Sequence, residues 1–223
     1  MIKFHPTIDI DQYSGIIKSA LLGNAEIKVY QNMGEVENWD NFENGIVYVT
    51  VVSVYVDWSE TKQQTDCSTI TKAIYEAFCE HSKCRDVLSL GSYIVAIFDT
   101  PFKTDIDATL DCVGKINSLF KLINRVYKFQ ISYGVGMHYG KVLLIKSLNG
   151  EESVYAWNGE GMETAKKHSE EAKLSSCRVR ASYTIFNNLK EDYQKLFMKV
   201  SFGNYYEADP VNIAMDKWIN ANV

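Results

Sequence analysis

Little in this chain places it quickly. Its 223 residues include three prolines, four histidines and five cysteines. The cysteines, Cys67, Cys79, Cys84, Cys112 and Cys177, are odd in number, irregularly spaced and without a C-x-x-C pair. That excludes a disulfide framework or a thiolate zinc site, and it predicts inert thiols in a reducing, cytoplasmic setting. No two histidines stand at His-x-His or His-x-x-x-His spacing, so a histidine metal site is excluded and His138 is read as structural. No run of 18 apolar residues exists, and the N-terminal MIKFHPTIDIDQYSG lacks the apolar stretch of a signal peptide. Neither a membrane span nor a leader is expected. Basic clusters are missing and the net charge is −5, which argues against nucleic-acid binding but permits a small anionic ligand at a locally positive site. No Walker-type glycine loop is present, so a P-loop is excluded.

What is present is an ordinary globular composition, 46% hydrophobic and 13% aromatic, with length enough for one large domain or a domain with an extension. Residues 1–44 read as an N-terminal extension, with a short amphipathic helix at QYSGIIKSALLG, a strand at AEIKVYQ and an acidic, turn-rich boundary at GEVENWDNFENG. The main domain, 45–223, opens with IVYVTVVSVYV, dense in β-branched and aromatic residues as a buried central strand should be. CSTITKAIYEAFCEHSK and DIDATLDCVGKINSLFKLINRVYK carry apolar residues at helical spacing. DVLSLGSYIVAIFDT predicts a hairpin turning near Gly91–Ser92. FQISYGVGMHYGKVLLIKS predicts two strands around a glycine bend. EGMETAKKHSEEAK predicts a helix, CRVRAS a strand, YTIFNNLKEDYQKLF one helix and MKVSFGNYYEADP a closing hairpin. The order β-α-β-β-α-β with an α-β-β tail predicts an α+β, ferredoxin-like (split βαβ) antiparallel sheet with helices packed on one face.

Asp57 stands where the central strand ends. A carboxylate there leaves the core without burying unpaired charge and can hold a cation, or it can merely terminate the strand. The following WSETK places Ser59, Glu60 and Thr61 in a turn whose backbone N–H groups can meet phosphates.

Four stretches occur in order: VVSVYVDWSETK, SLGSYIVAIFDTP, GVGMHYGKV and YAWNGEGMETAKK. Together they resemble the class III nucleotide cyclases, the adenylate and guanylate cyclase family, over about residues 46–210. The resemblance implies a homodimer with shared active sites. Divalent Mg²⁺ or Mn²⁺ held by carboxylates would activate a 3′-hydroxyl to attack the α-phosphate and expel pyrophosphate. Carried over residue by residue, Asp57 matches the first metal aspartate, with the Trp58 carbonyl near that metal. The second metal aspartate falls on Ser92, which is no carboxylate. Asp99 lies at the wrong end of the hairpin. The transition-state asparagine falls on Glu163 and the arginine on Lys167, spaced i, i+4 on one helical face. Glu163 either pairs with a lysine or helps replace the missing carboxylate. Lys199 matches a phosphate-directed lysine of the terminal region, or is simply an exposed lysine.

The base-reading positions fall on Leu88 and Ala156. Neither the adenine pair Lys and Asp nor the guanine pair Glu and Cys survives, and Trp157, Tyr93 and Tyr55 are large enough to fill room left by a smaller base. This pattern resembles the pyrimidine cyclases of Pycsar antiphage systems. It implies UTP as substrate, cyclic UMP as product and a separate effector activated by it. Cyclic CMP, a catalytically silent nucleotide-binding domain and a plain ferredoxin-like interaction module are the alternatives. Diguanylate cyclases share the core, but no GGDEF-like hairpin is present.

Overall fold

The computed structural model describes residues 27–60, 64–149, 152–201 and 203–223. Strand β1 is Val29–Tyr30, and β2, Asn44–Asp57, is the spine of the fold. A 3-10 turn, Trp58–Glu60, follows it, then helix α1, Gln64–Cys79. The hairpin is β3, Cys84–Leu90, and β4, Tyr93–Phe98; helix α2 is Lys103–Arg125. Next come β5, Ser132–Asn149, β6, Glu152–Asn158, and helix α3, Glu160–Lys173. The remainder is β7, Val179–Ser182, α4, Tyr183–Asn188, α5, Glu191–Gln194, β8, Met198–Lys199, β9, Tyr205–Ala208, and α6, Ile213–Ala221.

The described strands form one open sheet in the order β3-β4-β2-β5-β7-β9-β8, with β1 on β2 and β6 on β5. This is the expected α+β architecture, antiparallel except where β1 meets β2 and β5 meets β7. Period-2 side-chain alternation in β2 builds two cores. Val52, Val54 and Val56 pack with Ile74, Phe78, Val113, Ile116 and Phe120 from α1 and α2. Val47, Val49 and Val51 pack with Met162 and Ala165 of α3. Helices therefore cover both faces rather than the one expected. Each fully buried aliphatic or aromatic side chain of these cores contributes roughly 1.5–3 kcal/mol.

The glycine bend expected in residues 129–147 is absent. Strand β5 is unbroken and pairs with β2 from Asn44↔Ile145 to Asp57↔Ser132. Its glycines serve as a seat for α3. A Cβ on Gly136 would lie 2.1 Å from the Ala165 carbonyl oxygen and 2.5 Å from the Ser169 nitrogen. One on Gly134 would lie 2.2 Å from the Ser169 oxygen and 2.4 Å from the Lys173 nitrogen. Any other residue would hold the helix off the strand. Ser53 and Ser169 lock the contact, hydroxyl to hydroxyl, at 3.1 Å.

Three further differences follow from tertiary context. YTIFNNLKEDYQKLF is two short helices, because Leu189 turns extended (ψ 148°) into the core. The Lys190 nitrogen then donates to Asp107. The unexpected helix α6 is anchored by its approach segment: Asn117 donates to the Pro210 carbonyl at 2.7 Å, and the Asn212 nitrogen donates to Ser118 Oγ at 2.8 Å. SVYAWN is a strand, β6. Of the N-terminal expectations, only the tail of AEIKVYQ is described, as β1; the QYSGIIKSALLG helix lies outside the described residues. Val36 and Phe42, from the stretch read as a boundary, are buried in the α3-side core. Among the described residues, no helix is long and apolar enough to cross a membrane.

Under α3, His138 of β5 faces His168 at 6.5 Å between ring centroids, and the Nδ1 of each lacks a hydrogen-bond partner. Burial, aided by the nearby imidazole and Arg180, pushes His168 down from the ordinary 6.5 to about 4. The unfolded chain takes up this proton as pH falls below 6.5, whereas the folded chain resists until about 4. Stability is therefore full above that window and lost through it on acidification. Going from pH 7.5 to pH 5 should cost about 2 kcal/mol, read as a falling Tm, and His168→Leu should flatten the dependence.

Gly136→Ala should cost about 1–3 kcal/mol or more in chemical denaturation, because helix backbone fills the space its methyl needs. Gly114→Ala is the control: its Cβ meets nothing nearer than 3.5 Å inside α2. It should be neutral or stabilising by up to about 1 kcal/mol.

Candidate active site

The tip of β2 gathers the groups with chemical potential. Asp57 Oδ1 accepts from the Ser59 nitrogen at 3.2 Å and from Ser59 Oγ at 2.7 Å. Asp57 Oδ2 accepts from Lys173 Nζ at 3.2 Å. Lys173 is the last residue of α3, so the glycine seat delivers it to this spot. Its ammonium also lies 4.8 Å from the centroid of the Tyr55 ring. The β3–β4 turn closes on the same tip, where the Val56 nitrogen donates to the Ser92 carbonyl at 2.8 Å. Tyr93 pairs with Tyr55 across the strands, their rings 5.2 Å apart. Its hydroxyl donates to Glu170. Lys166 sits 5.2 Å over the Tyr93 ring and donates to both oxygens of Glu163, at 3.0 and 3.2 Å.

Titration follows this geometry. The Ser59 hydrogen bonds, then Lys173, hold Asp57 below the usual carboxylate value. The bond to Asp57 raises Lys173. Donation to Glu170 pushes Tyr93 up to about 12. At neutral pH the tip is thus an ionised carboxylate beside an ammonium, flanked by a neutral phenol.

The donor set at the tip is oxygen only. Among the described residues there is no group of three or more His, Cys, Asp or Glu able to hold a metal. One carboxylate with neighbouring oxygens suits a single hard cation that keeps waters and completes its shell with phosphate oxygens. It does not form a self-sufficient cage.

The other expected residues are spread more widely. Trp58 and Glu60 lie in the turn after Asp57, while Thr61 is outside the described residues. Leu88 is half-buried opposite Val95 and packs against the α3-side core, as do Tyr93 and Trp157. Ala156 is exposed on β6, paired with Ile145. Trp157 folds back over this end of the sheet, its indole N–H donating to Asp86 Oδ2 at 2.8 Å. Beside it is a cavity of about 370 Å³ bordered by Trp39, Arg85, Asp86, Asp99, Tyr155 and Trp157. Asp99 accepts from the Met33 nitrogen and from Arg85, both at 3.2 Å, at the end of the hairpin away from Asp57. Glu163 pairs with Lys166, not with Lys167, which is exposed. Lys199 is exposed in β8, four strands from β2 in the sheet order and so roughly 19 Å across. The chain does not bring it to Asp57.

Sequence reasoning missed Lys173, Glu170, Lys166 and Asp86. The first three were legible: counted from Glu163, they recur at 3-4-3 spacing, one stripe along α3. Asp86 carried no signal, since its role depends on how the β5–β6 arm folds over the sheet.

No protein-family model matches the chain. A curated relative, the uridylate cyclase of Treponema porcinum, is 23% identical over 233 residues, covering 94% of this chain and 81% of the relative. Among solved structures, a bacterial light-regulated adenylyl cyclase superposes with a TM-score of 0.60 at 11% identity, over 82% of this chain. The chain spans only 58% of that protein's length. The guanylyl cyclase Cya2 gives a TM-score of 0.57 at 10% identity, over 77% of this chain and 96% of that one. The fold is that of the class III cyclases, as the four motifs imply.

Proposed function

We propose that the chain is a pyrimidine nucleotide cyclase that converts UTP to cyclic UMP and pyrophosphate. The 3′-hydroxyl gives up its proton to solvent and its oxygen bonds to the α-phosphorus as the bond from that phosphorus to the β-phosphate bridge breaks, and pyrophosphate leaves with the electron pair. The observation that carries this reading is the anchored indole of Trp157, which donates to Asp86 and borders the cavity of about 370 Å³; apolar Leu88 and small Ala156 occupy the two positions where the resemblance expects polar purine-reading side chains. With neither purine-reading side chain kept at those two positions and a bulky, anchored indole at the cavity's edge, a single-ring base is favoured. The name of the curated relative supports the same substrate.

Asp57 and the oxygens around it would hold Mg²⁺ or Mn²⁺, which when bound polarises the phosphate oxygens and acidifies the attacking hydroxyl. The turn Trp58–Glu60 would face the phosphates. The resemblance implies a second copy, to which Lys167, exposed midway along α3, and the base-reading residues would be offered. In a homodimer each chain would offer its Asp57 tip to nucleotide whose base lies against its partner. Cyclic UMP would then act as a cytoplasmic second messenger for a separate effector in antiphage defence. One observation favours a second reading, a catalytically silent nucleotide-binding domain: both oxygens of Asp57 are already engaged within the chain.

Incubation with each of the four ribonucleoside triphosphates and Mn²⁺ or Mg²⁺, with product identified by mass spectrometry, separates the two readings. Cyclic UMP should dominate, and ATP should turn over at least about tenfold less well. No cyclic product from any triphosphate overturns the cyclase reading in favour of the silent one. Asp57→Ala should lower kcat/KM about 100-fold or more. Trp157→Ala should narrow the UTP-to-ATP ratio of kcat/KM, by about tenfold.

A further inference from the structure

One group at the Asp57 tip has no part in the reaction as described. Lys173 is fixed at its root, because the backbone of the last turn of α3 rests on Gly134. Its stem runs beside Tyr55, with the ring 4.8 Å from the ammonium, and its head lies 3.2 Å from Asp57 Oδ2. A free surface lysine spreads over many rotamers and gains little from a carboxylate. This one is held by a helix end, an aromatic face and an anion at once. It is 21% exposed, so its head still reaches solvent and any ligand there.

The charge inventory of the tip gives this placement a purpose. The position paired by the hairpin turn with the end of β2 is Ser92, a neutral hydroxyl. Glu170 of α3 accepts from Tyr93. Glu163 is taken by Lys166. Asp57, at the strand tip, is the carboxylate we assign to a divalent cation, since its lysine partner is one that a phosphate can draw away, and one carboxylate recruits one cation. A second divalent cation would find Ser92 where the resemblance expects an aspartate and would add its charge to that of the Lys173 ammonium. A triphosphate still needs more positive charge than one cation provides, and lysine binds phosphate well as a point charge.

We propose that Lys173 is a phosphate-binding residue that supplies this charge from the Asp57 side, so that the site works with one divalent cation rather than two. Asp57 holds the ammonium ready, and arrival of cation and triphosphate transfers it from carboxylate to phosphate. The proposal rests on the nucleotide-cyclase reading above.

The test measures binding rather than turnover, on the full chain with 3′-deoxy-UTP, which has no attacking hydroxyl, and Mn²⁺ followed by electron paramagnetic resonance. Wild type should hold one Mn²⁺ per bound analogue. Lys173→Met should bind the analogue about tenfold or more weakly with the count still one, and Lys173→Arg should stay within about threefold of wild type. Two Mn²⁺ per analogue in wild type, or unweakened binding by Lys173→Met, overturns the proposal. If Lys173→Met does not fold by circular dichroism, the wild-type count alone decides. A wild type that makes cyclic UMP yet holds two Mn²⁺ defeats only the role of Lys173. A wild type that neither binds the analogue nor cyclises any triphosphate defeats the cyclase reading and this proposal with it.

Discussion

Helix α3 rests on strand β5 backbone to backbone, with no side chain between them at Gly134 and Gly136. Much of the candidate site depends on that contact. The helix cannot rotate about its axis without driving the Ala165 or Ser169 backbone into the strand, so one stripe of its surface is fixed toward β2 and β4. That stripe reads Glu163, Lys166, Glu170, Lys173. The same contact brings His168 onto His138 and the Lys173 ammonium onto Asp57. A packing constraint written in two missing side chains thus sets the electrostatics of a site near the helix's far end.

The stripe alternates in sign, and nearly every member is spoken for within the chain: Lys166 by Glu163, Glu170 by Tyr93, Lys173 by Asp57. Ion pairs this exposed contribute little to stability. Their effect is positional. They hold two tyrosines, two lysines and three carboxylates in a fixed order along the mouth of the site, and any anion that enters must exchange partners with them rather than meet bare charge.

The main architecture was legible because it obeys simple periodicities. The β-branched density of residues 46–56, the apolar stripe of Leu110, Val113, Ile116 and Phe120, and the turn at Gly91–Ser92 each correspond to an observed element. Asp57 was legible for the same reason, since a carboxylate closing an apolar strand has few places to go. The errors share a cause. Glycines in GVGMHYG read locally as a bend, yet their role is set by a helix some thirty residues later in the chain. YTIFNNLKEDYQKLF has helical composition, but burial of Leu189 breaks it. Glu163 does pair with a lysine, as one of its two expected roles had it, but the lysine is Lys166 at i, i+3; the seat of α3 on β5, which no local spacing encodes, sets which face meets the tyrosines. Asp86 meets Trp157 through the curl of the β5–β6 arm, and no local pattern encodes a curl.

The pairing of β2 with β5 runs unbroken through all 14 residues of β2. Asp57 stands at one extremity of this ladder, and the β5 residues that carry β6 with its Ala156 and Trp157 stand toward the other. A doubly hydrogen-bonded beam of that length is stiff along its axis. The Asp57 tip and the end of the ladder toward β6 are therefore set at a fixed span. If two copies close on a nucleotide, as proposed above, each such ladder would slide or rock as a whole body, with α3 riding along.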